Sequence, residues 1–551
     1  MSAVSVKVTA GGKELTPKLR VVSVEAHWQC HDIPRATLVV ADGETTTGKW
    51  ENSELPQLAP GKEVDIKASF LGDKASEVTL FKGLITGQSL KASTGGSFLT
   101  LQLHGDLIKL VEPRLSQVFP EKSKDGDIIK KLITDGGATA KAVAATTVEH
   151  TQLAVYDESP WSFIKYLAEA NGLLVMPGLE GVTIDAPAKL KGKDHKLRID
   201  QFKTVSLDLD DTNALEKVSA SAWSVKDQKA ESPAKGAAPT NIAGGKETAA
   251  SAAKALGRKE WATVSGSLLQ AGELTGWSTA ELVYRELDRY RGSLSVEGME
   301  AAPGDSIELE DFGALFNGKY MVTGVNHRVD GDGWTTTLSI GLPLTRTRFF
   351  NGLHKQAPRV RGLLIGQVQA YKDDPDAQFR FPVLVPAFGA KDNILWARLG
   401  APYASAEAGL FLPPKPNDEV VLGWCDDDPR QPVILGSLHN PRNKPPLEFD
   451  NKLEKRGLVI TKDALTWLFD EKEKNLTLTA SDKVSTVLSE TDGQLLSQDK
   501  NTVTLNKEVI VESDKDVTLK PGGKAVLKAG ADVAVEASGN CAIKAAKTEI
   551  Q

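Results

Sequence analysis

With 551 residues, 40% of them hydrophobic and 25% charged, the chain is long enough for roughly three or four soluble globular domains. A net charge of −7 and a pI near 5.8 argue against a nucleic-acid binder, which would carry a basic face. Three scattered cysteines (Cys30, Cys425, Cys541) are too few for a disulfide framework, and there is no run of about 18 apolar residues to cross a bilayer.

The first residues, MSAVSVKVTAGGKEL, lack the basic and apolar regions of a secretory signal. Synthesis in a reducing cytosol is expected, with no export by the general secretory route. Residues 1–105 read as strands: Val21–Ala26, Ala36–Val40, Glu63–Phe70, Val78–Ile85 and Ser97–His104 alternate and are bounded by Gly, Pro or Asp. That spacing suggests a small antiparallel barrel. Residues 106–203 change period. Asp127–Thr134 puts Ile128, Ile129, Leu132 and Ile133 on one helical face and stops at Gly136-Gly137. A second helix has Ser159 as cap and Pro160 in its first turn, buries Trp161, Ile164 and Leu167, and ends at Asn171-Gly172; the strand Leu173–Met176 follows.

Residues 204–350 return to strands (Thr204–Leu209, Leu215–Ala222, Ser306–Leu309, Lys319–Val325, Trp334–Ser339) and read as a second barrel. Residues 226–260, rich in Ala, Lys and Gly, read as a long exposed loop or frayed helix. A capping box Ser278-x-x-Glu281 opens a helix carrying Leu282, Val283, Leu287 and Tyr290 that Gly292 closes. In residues 357–446, five strands (Leu363–Ala370, Phe379–Val385, Ile394–Leu399, Glu419–Trp424, Pro432–Leu438) match the count and size of an OB-type barrel.

Residues 455–551 begin irregularly and end in octads: VIVESDKD, VTLKPGGK, AVLKAGAD, VAVEASGN, CAIKAAKT, EIQ. The first and third positions share a face of an extended chain, and the rest supply charge and corners. Two or three small aliphatics gain roughly 3–8 kcal/mol per octad, against about 8–16 kcal/mol of backbone entropy for eight residues. No aromatic residue follows Phe469 to close that gap. The stretch therefore needs copies of itself. Three copies close each rung, giving an intertwined trimeric β-helix or prism with Val509, Val511, Val517, Leu519, Leu527, Val533, Val535 and Ile543 as its core. The expected fold class is thus mainly β: two barrels with α/β insertions, an OB fold and a trimeric β-helix.

Little points to catalysis. His27, Cys30 and His31 lack a fourth ligand, since His27 and His31 would share a strand face with Cys30 pointing away. Asp426-Asp427-Asp428 lacks the oxygen spacing of a calcium loop and reads as a solvated hairpin turn. Gly244-Gly245-Lys246 is an incomplete phosphate loop. His327 reads as a hydrogen-bonded barrel residue, and Trp28, Trp161, Trp396 and Trp424 fall on core faces. No enzyme, metal or cofactor is expected.

Four phrases carry a family resemblance: VEAHWQCHDIPRATLVVADG (24–43), LAVYDESPWSFIKYLAEANGLLVMP (153–177), PGDSIELEDFGALFNGKYMVTGVNHRVDGDGWTTTL (303–338), and the stretch from WARLG at 396 through FLPPKPNDEVVLGW and DPRQPVILGSLHN to 446. With the octads, they resemble, in order, the two hub barrels, hub segment, OB domain and spike of valine-glycine repeat protein G (VgrG) and phage late-control tail proteins. The resemblance implies the central spike of a contractile phage tail, type VI secretion system or extracellular contractile injection system. In that family three chains make a pseudo-sixfold ring that adapts a hexameric inner tube to a threefold spike.

Further partners implied are baseplate proteins, effector cargo, transient contact with the target membrane, and a PAAR-repeat tip protein docked on the last edges, here Ile543, Glu549, Ile550 and Gln551. Residues 440–458 leave no room for the lysozyme that some phage spikes insert there. The rival expectations are a trimeric tail-spike polysaccharide depolymerase, which would need an aromatic and acidic groove along the prism, and a trimeric cell-surface adhesin, which would need a secretion signal and anchor.

Overall fold

Alternating residues between Val4 and Ile340 build one large sheet. The computed structural model describes residues 3–549 except 44–47, 94–95, 238, 240–243, 246, 259, 348–357, 390–392, 450, 463, 482–483, 490–492 and 498–509. It divides into two units, Met1–Lys444 and Pro445–Gln551.

In the first unit, the strands Val4–Ala10, Val21–Gln29, Arg35–Ala41, Glu63–Phe70, Val78–Ser93 and Gly96–His104 curl around a core that includes Val24, Leu38, Ile66, Phe81 and Leu101. The strands Phe202–Leu209, Tyr290–Glu297, Ser306–Leu309, Gly318–Asp330 and Gly333–Ile340 enclose a second core around Leu294, Ile307, Val322 and Leu338. Val21–Gln29 pairs with Gly318–Asp330, with Val325 opposite Trp28. With the short strands Lys13–Glu14 and Asp194–Leu197, the two strand sets therefore make one 13-stranded sheet, not two separately closed barrels. Because that pairing joins residues about 300 positions apart, local alternation carries no sign of it.

Between these sets the helices Asp125–Asp135 and Pro160–Ala170 pack on short strands. Ser159 caps the second helix through its Oγ, which accepts from the Ser162 N–H at 3.1 Å. Gly172, at φ +66°, supplies the left-handed exit. Phe163 rather than Trp161 is the buried aromatic; Trp161 is half-buried.

The long helix runs Ala271–Arg289, so its cap lies eight residues upstream of the expected Ser278. Leu274 and Trp277 extend the buried face, and the true capping box is Gln270–Glu273. Ser278 sits in mid-helix, fully buried, and donates to the Ala234 carbonyl. Tyr290 and Gly292 belong to the following strand.

Among the described residues of 226–260 there are two short strands, Lys229–Ala230 and Ala234–Lys235, and the helix Ala249–Ala255. Beside Gly244 and Gly245 stand the rings of Tyr320 and Tyr290. These contacts leave no phosphate loop there, and Lys246 lies outside the described residues.

Leu364–Val368, Arg380–Leu384, Ile394–Leu399, Glu419–Trp424 and Pro432–Leu438 form a closed five-stranded barrel around Val383, Leu395, Val420, Leu422 and Ile434. The fold is thus mainly β, with an OB barrel.

The second unit differs from the expected rungs. Lys455–Thr461, Leu465–Asp470, Asn475–Ser481, Val484–Leu488 and Gly493–Ser497 make an antiparallel five-stranded meander. Short turns allow this stretch to pair with itself, which the octads cannot do. Residues 510–549 form no strand, and every one is exposed.

Candidate functional site

The expected core residues of the octads do not meet within the chain. Val511, Val517, Leu519, Leu527, Val533, Val535 and Ile543 are 50–87% exposed, and Val509 lies outside the described residues. Glu549 pairs with Lys547, and Ile550 and Gln551 are likewise outside the described residues. The meander above them carries an uncovered apolar face. Leu458, Trp467 and Leu478 stand opposite one another across three strands; Phe469, Leu476 and Leu488 form the next row. Strand alternation puts both rows on the same face. Trp467, Phe469, Leu478 and Leu488 are each 45–50% exposed, and the Trp467 and Phe469 ring centroids lie 5.6 Å apart.

A second constellation lies where the OB barrel meets the rest of the first unit. The Arg430 guanidinium forks onto Asp428 (Nε–Oδ1 2.9 Å, Nη2–Oδ2 2.7 Å) and reaches Glu273 Oε1 at 2.6 Å through Nη1. Glu273 caps the long helix through the Gln270 N–H and lies 3.8 Å from His150 Nδ1. His150 Nε2 meets Asp125 Oδ1 at 2.7 Å, and Asn171 donates to the other Asp125 oxygen. Beside them is a cavity of about 60 Å³, room for about two waters.

Burial opposes charge on Arg430, but the Asp428 and Glu273 carboxylates outweigh it and raise its pKa. Burial would likewise raise Asp428, yet Arg430 holds it below the usual range. For His150, burial lowers the pKa while the Asp125 hydrogen bond, the Asp125 charge and then Glu273 raise it further, so the net shift is upward.

Side-chain amides add to this seam. Gln152 accepts from the Trp396 N–H at 2.7 Å and donates to the Arg430 carbonyl, and Gln431 brackets the Leu268 backbone on both sides. Val118 N–H donates to Asn393 Oδ1. The expected solvated Asp426–Asp428 turn is corrected here: Asp428 is buried, because the turn, with Asp426 and Asp427 at positive φ, folds its carboxylate back onto Arg430.

His27, Cys30 and His31 do not converge on one point. His31, at φ +59°, breaks the strand alternation. Its ring is buried against Tyr284 Oη at 3.2 Å and Glu169 at 3.7 Å, and burial holds its pKa well below normal. Tyr284 Oη donates to the Leu173 carbonyl, which leaves His31 Nε2–H as the donor to Tyr284. Cys30 lies in the apolar core beside them. His327 is buried and bonded to Thr336 at 3.0 Å. Trp28 and Trp396 are buried, while Trp424 is only half-buried.

A hub sheet and a separate OB barrel in one unit, followed by a unit with uncovered apolar rows, make a VgrG-like fold. Residues 1–331 match the family described as the Alg8 N-terminal domain, more than half of the 551 residues, and the chain belongs to that family. Residues 364–439 match the type VI secretion system/phage-baseplate injector OB domain.

In solved structures, the chain is similar to a chain of the Francisella PdpA-VgrG complex in its half-lidded form (11% identity, TM-score 0.54, 90% of this chain and 88% of that one). It is also similar to the lidless form (11%, 0.53, 90% and 98%). An E. coli component of the type VI secretion system matches at 14% identity over 79% of this chain and all of that one, with a TM-score of 0.49. Among curated proteins no sequence matches.

Proposed function

We propose that the protein is the homotrimeric central spike and hub of a contractile injection machine. It adapts a hexameric inner tube to a threefold tip and pierces the target envelope mechanically. The observation that carries this reading is the uncovered apolar face of the second unit, the rows Leu458–Trp467–Leu478 and Phe469–Leu476–Leu488, followed by octads whose aliphatics have no cover in the chain. Such surface needs identical neighbours, because an octad offers a stripe that only another octad matches in period. Three copies would bury the stripes around one axis.

The buried Arg430 seam suits this role, since thrust must pass between hub and OB barrel without hinging. Free energy comes from contraction of a sheath outside this chain, and the protein contributes stiffness. The partners in this reading are the tube, baseplate proteins, a PAAR-like tip protein at Ile543–Gln551 and effector cargo; the solved Francisella structure is itself a complex of VgrG with PdpA. The protein is made in the cytoplasm, assembled into the particle and delivered outside the cell or into the target.

Light scattering is expected to give three times 59.1 kDa. A stable monomer refutes the trimer, and cleavage of polysaccharide or peptidoglycan by the pure protein refutes the mechanical reading.

A further inference from the structure

The OB barrel carries an arm with no seat of its own. Between the strands Ile394–Leu399 and Glu419–Trp424, the chain leaves the barrel in a small hairpin, Ala404–Ser405 paired with Ala408–Gly409, closed by Glu407 at φ +52°. Every residue from Ala401 to Pro413 is exposed. They include Tyr403 (59%), Leu410 (46%), Phe411 (80%) and Leu412 (42%). The Leu410 N–H bonds the Tyr403 carbonyl at 3.0 Å, so the arm is a built hairpin rather than loose chain. A solvated loop does not need four large apolar residues around one turn.

The same barrel also presents an uncovered apolar patch on its outer face. Ile365 (45%), on Leu364–Val368, Leu363 (62%), just ahead of that strand, and Leu435 (57%), on Pro432–Leu438, flank the strand Glu419–Trp424 that pairs with both. Gly423 stands between them: a Cβ there would lie 3.1 Å from Leu435 Cδ1 and 3.7 Å from Leu363 Cδ2, so the absent side chain lets the two leucines close over the strand. Arg361 precedes this patch, and Glu407 is the only charged residue from Gly400 to Pro414.

We propose that the arm of each chain seats on the Leu363–Ile365–Leu435 face of the next copy, with Glu407 turned toward that copy's Arg361. The inference rests on the trimer reading and names the surface that holds the OB barrels together. Arm and patch are different surfaces of one domain, so the contact is heterologous, and a threefold rotation closes it into a ring with no free arm. The two surfaces together bring about 800 Å² of apolar side chain. With the usual apolar share of interfaces, that corresponds to about 1,200–1,400 Å² buried per contact, the lower end of the range for specific association. One such contact is marginal, but three in a closed ring reinforce one another.

The test uses the full chain with Cys541→Ser, which removes the exposed thiol, and adds Phe411→Cys and Leu363→Cys together. Mild oxidation is expected to give a covalent three-chain species at least tenfold above either single substitution. A bond within one chain would show the arm lying on its own barrel and overturn the proposal. Absence of any bond in a protein that still has trimeric mass would overturn it too, while leaving the trimer intact. A monomeric mass would instead refute the trimer reading on which it rests.

Discussion

Replacing Arg430 with methionine removes the cation between the buried Asp428 carboxylate and the partly buried Glu273 carboxylate and keeps most of the side-chain volume. Asp428 is 2% exposed, and the Arg430 side chain is 9% exposed, so solvent screening does little for either. Taking one partner from a buried ion pair costs about 3–5 kcal/mol, because the remaining charge is stranded. Arg430→Met is therefore expected to speed amide exchange in Glu419–Trp424 and Pro432–Leu438 by roughly 10²–10⁴-fold, at about 1.4 kcal/mol per factor of ten. Hydrogen exchange of the full chain, resolved to those strands, measures this directly. The defect should shrink as pH falls, because protonation neutralises the stranded Asp428 carboxylate. Arg430→Lys should recover only part of the protection, since an ammonium cannot fork onto Asp428 while reaching Glu273. An acceleration below tenfold for Arg430→Met would refute the claim that this seam holds the OB barrel in place.

Two buried groups should give stability slopes of opposite sign. Burial raises the Glu281 carboxyl to about 7 against Arg285, which pulls it down. Its contribution is complete below about pH 4.5 and is lost as pH rises through 7, by up to about 3 kcal/mol. Urea titrations between pH 5 and 8 should lose that decline in Glu281→Gln; an unchanged slope counts against a buried acid. Burial lowers His327 to about 4, so its neutral form favours folding above pH 6.5, and stability falls by up to about 3 kcal/mol as pH drops through 4. His327→Phe should remove that acid sensitivity, measured the same way, and persistence of the full slope would assign it elsewhere. On the meander, Trp467→Asp should leave the protomer's far-UV spectrum unchanged but lower the trimeric fraction at micromolar concentration at least tenfold by light scattering. An intact trimer would show that the Trp467 row is not covered by a neighbour.

Strands and helices were legible wherever the signal is local. Glu63–Phe70, Ile394–Leu399, Glu419–Trp424 and Pro432–Leu438 follow from alternation and flanking turns, and Ser159-Pro160 marks a helix start with its own chemistry. The Ser278-x-x-Glu281 pattern misled because a capping box can occur by chance inside a helix; Leu274 and Trp277, one turn upstream, were the sign that the apolar face continued. The ionic seam was not legible. Asp125, His150, Glu273 and Arg430 are ordinary surface residue types spread over some 300 positions, and only the fold gathers them. The apolar row Leu458–Trp467–Leu478 lies in the alternation of LVITKDALTWLFDEKEKNLTLTA, and it becomes legible when that stretch is paired with itself rather than with the octads.

The polarity of the hub–OB seam has a physical rationale. Well-packed apolar residues could hold two domains as tightly as Arg430, Asp428 and Glu273 do, since desolvation consumes much of what a buried ion pair gains. Apolar contact, however, tolerates sliding and rotation, whereas the fork of Arg430 onto Asp428 within the barrel's own turn fixes the guanidinium so that its remaining N–H meets Glu273 of the hub in one direction. Gln152, bonded to both the N–H of Trp396 and the carbonyl of Arg430, fixes a second point, and Asn393 on Val118 a third. Directional contacts at separate points restrict the rotation of one rigid body on another. In a protein proposed to pass a threefold axis from a tube adapter to a shaft, rotational error between hub and barrel would be multiplied along the shaft. That demand favours directional contacts at this seam, and apolar area, as on the OB arm and the Trp467 face, where identical copies meet.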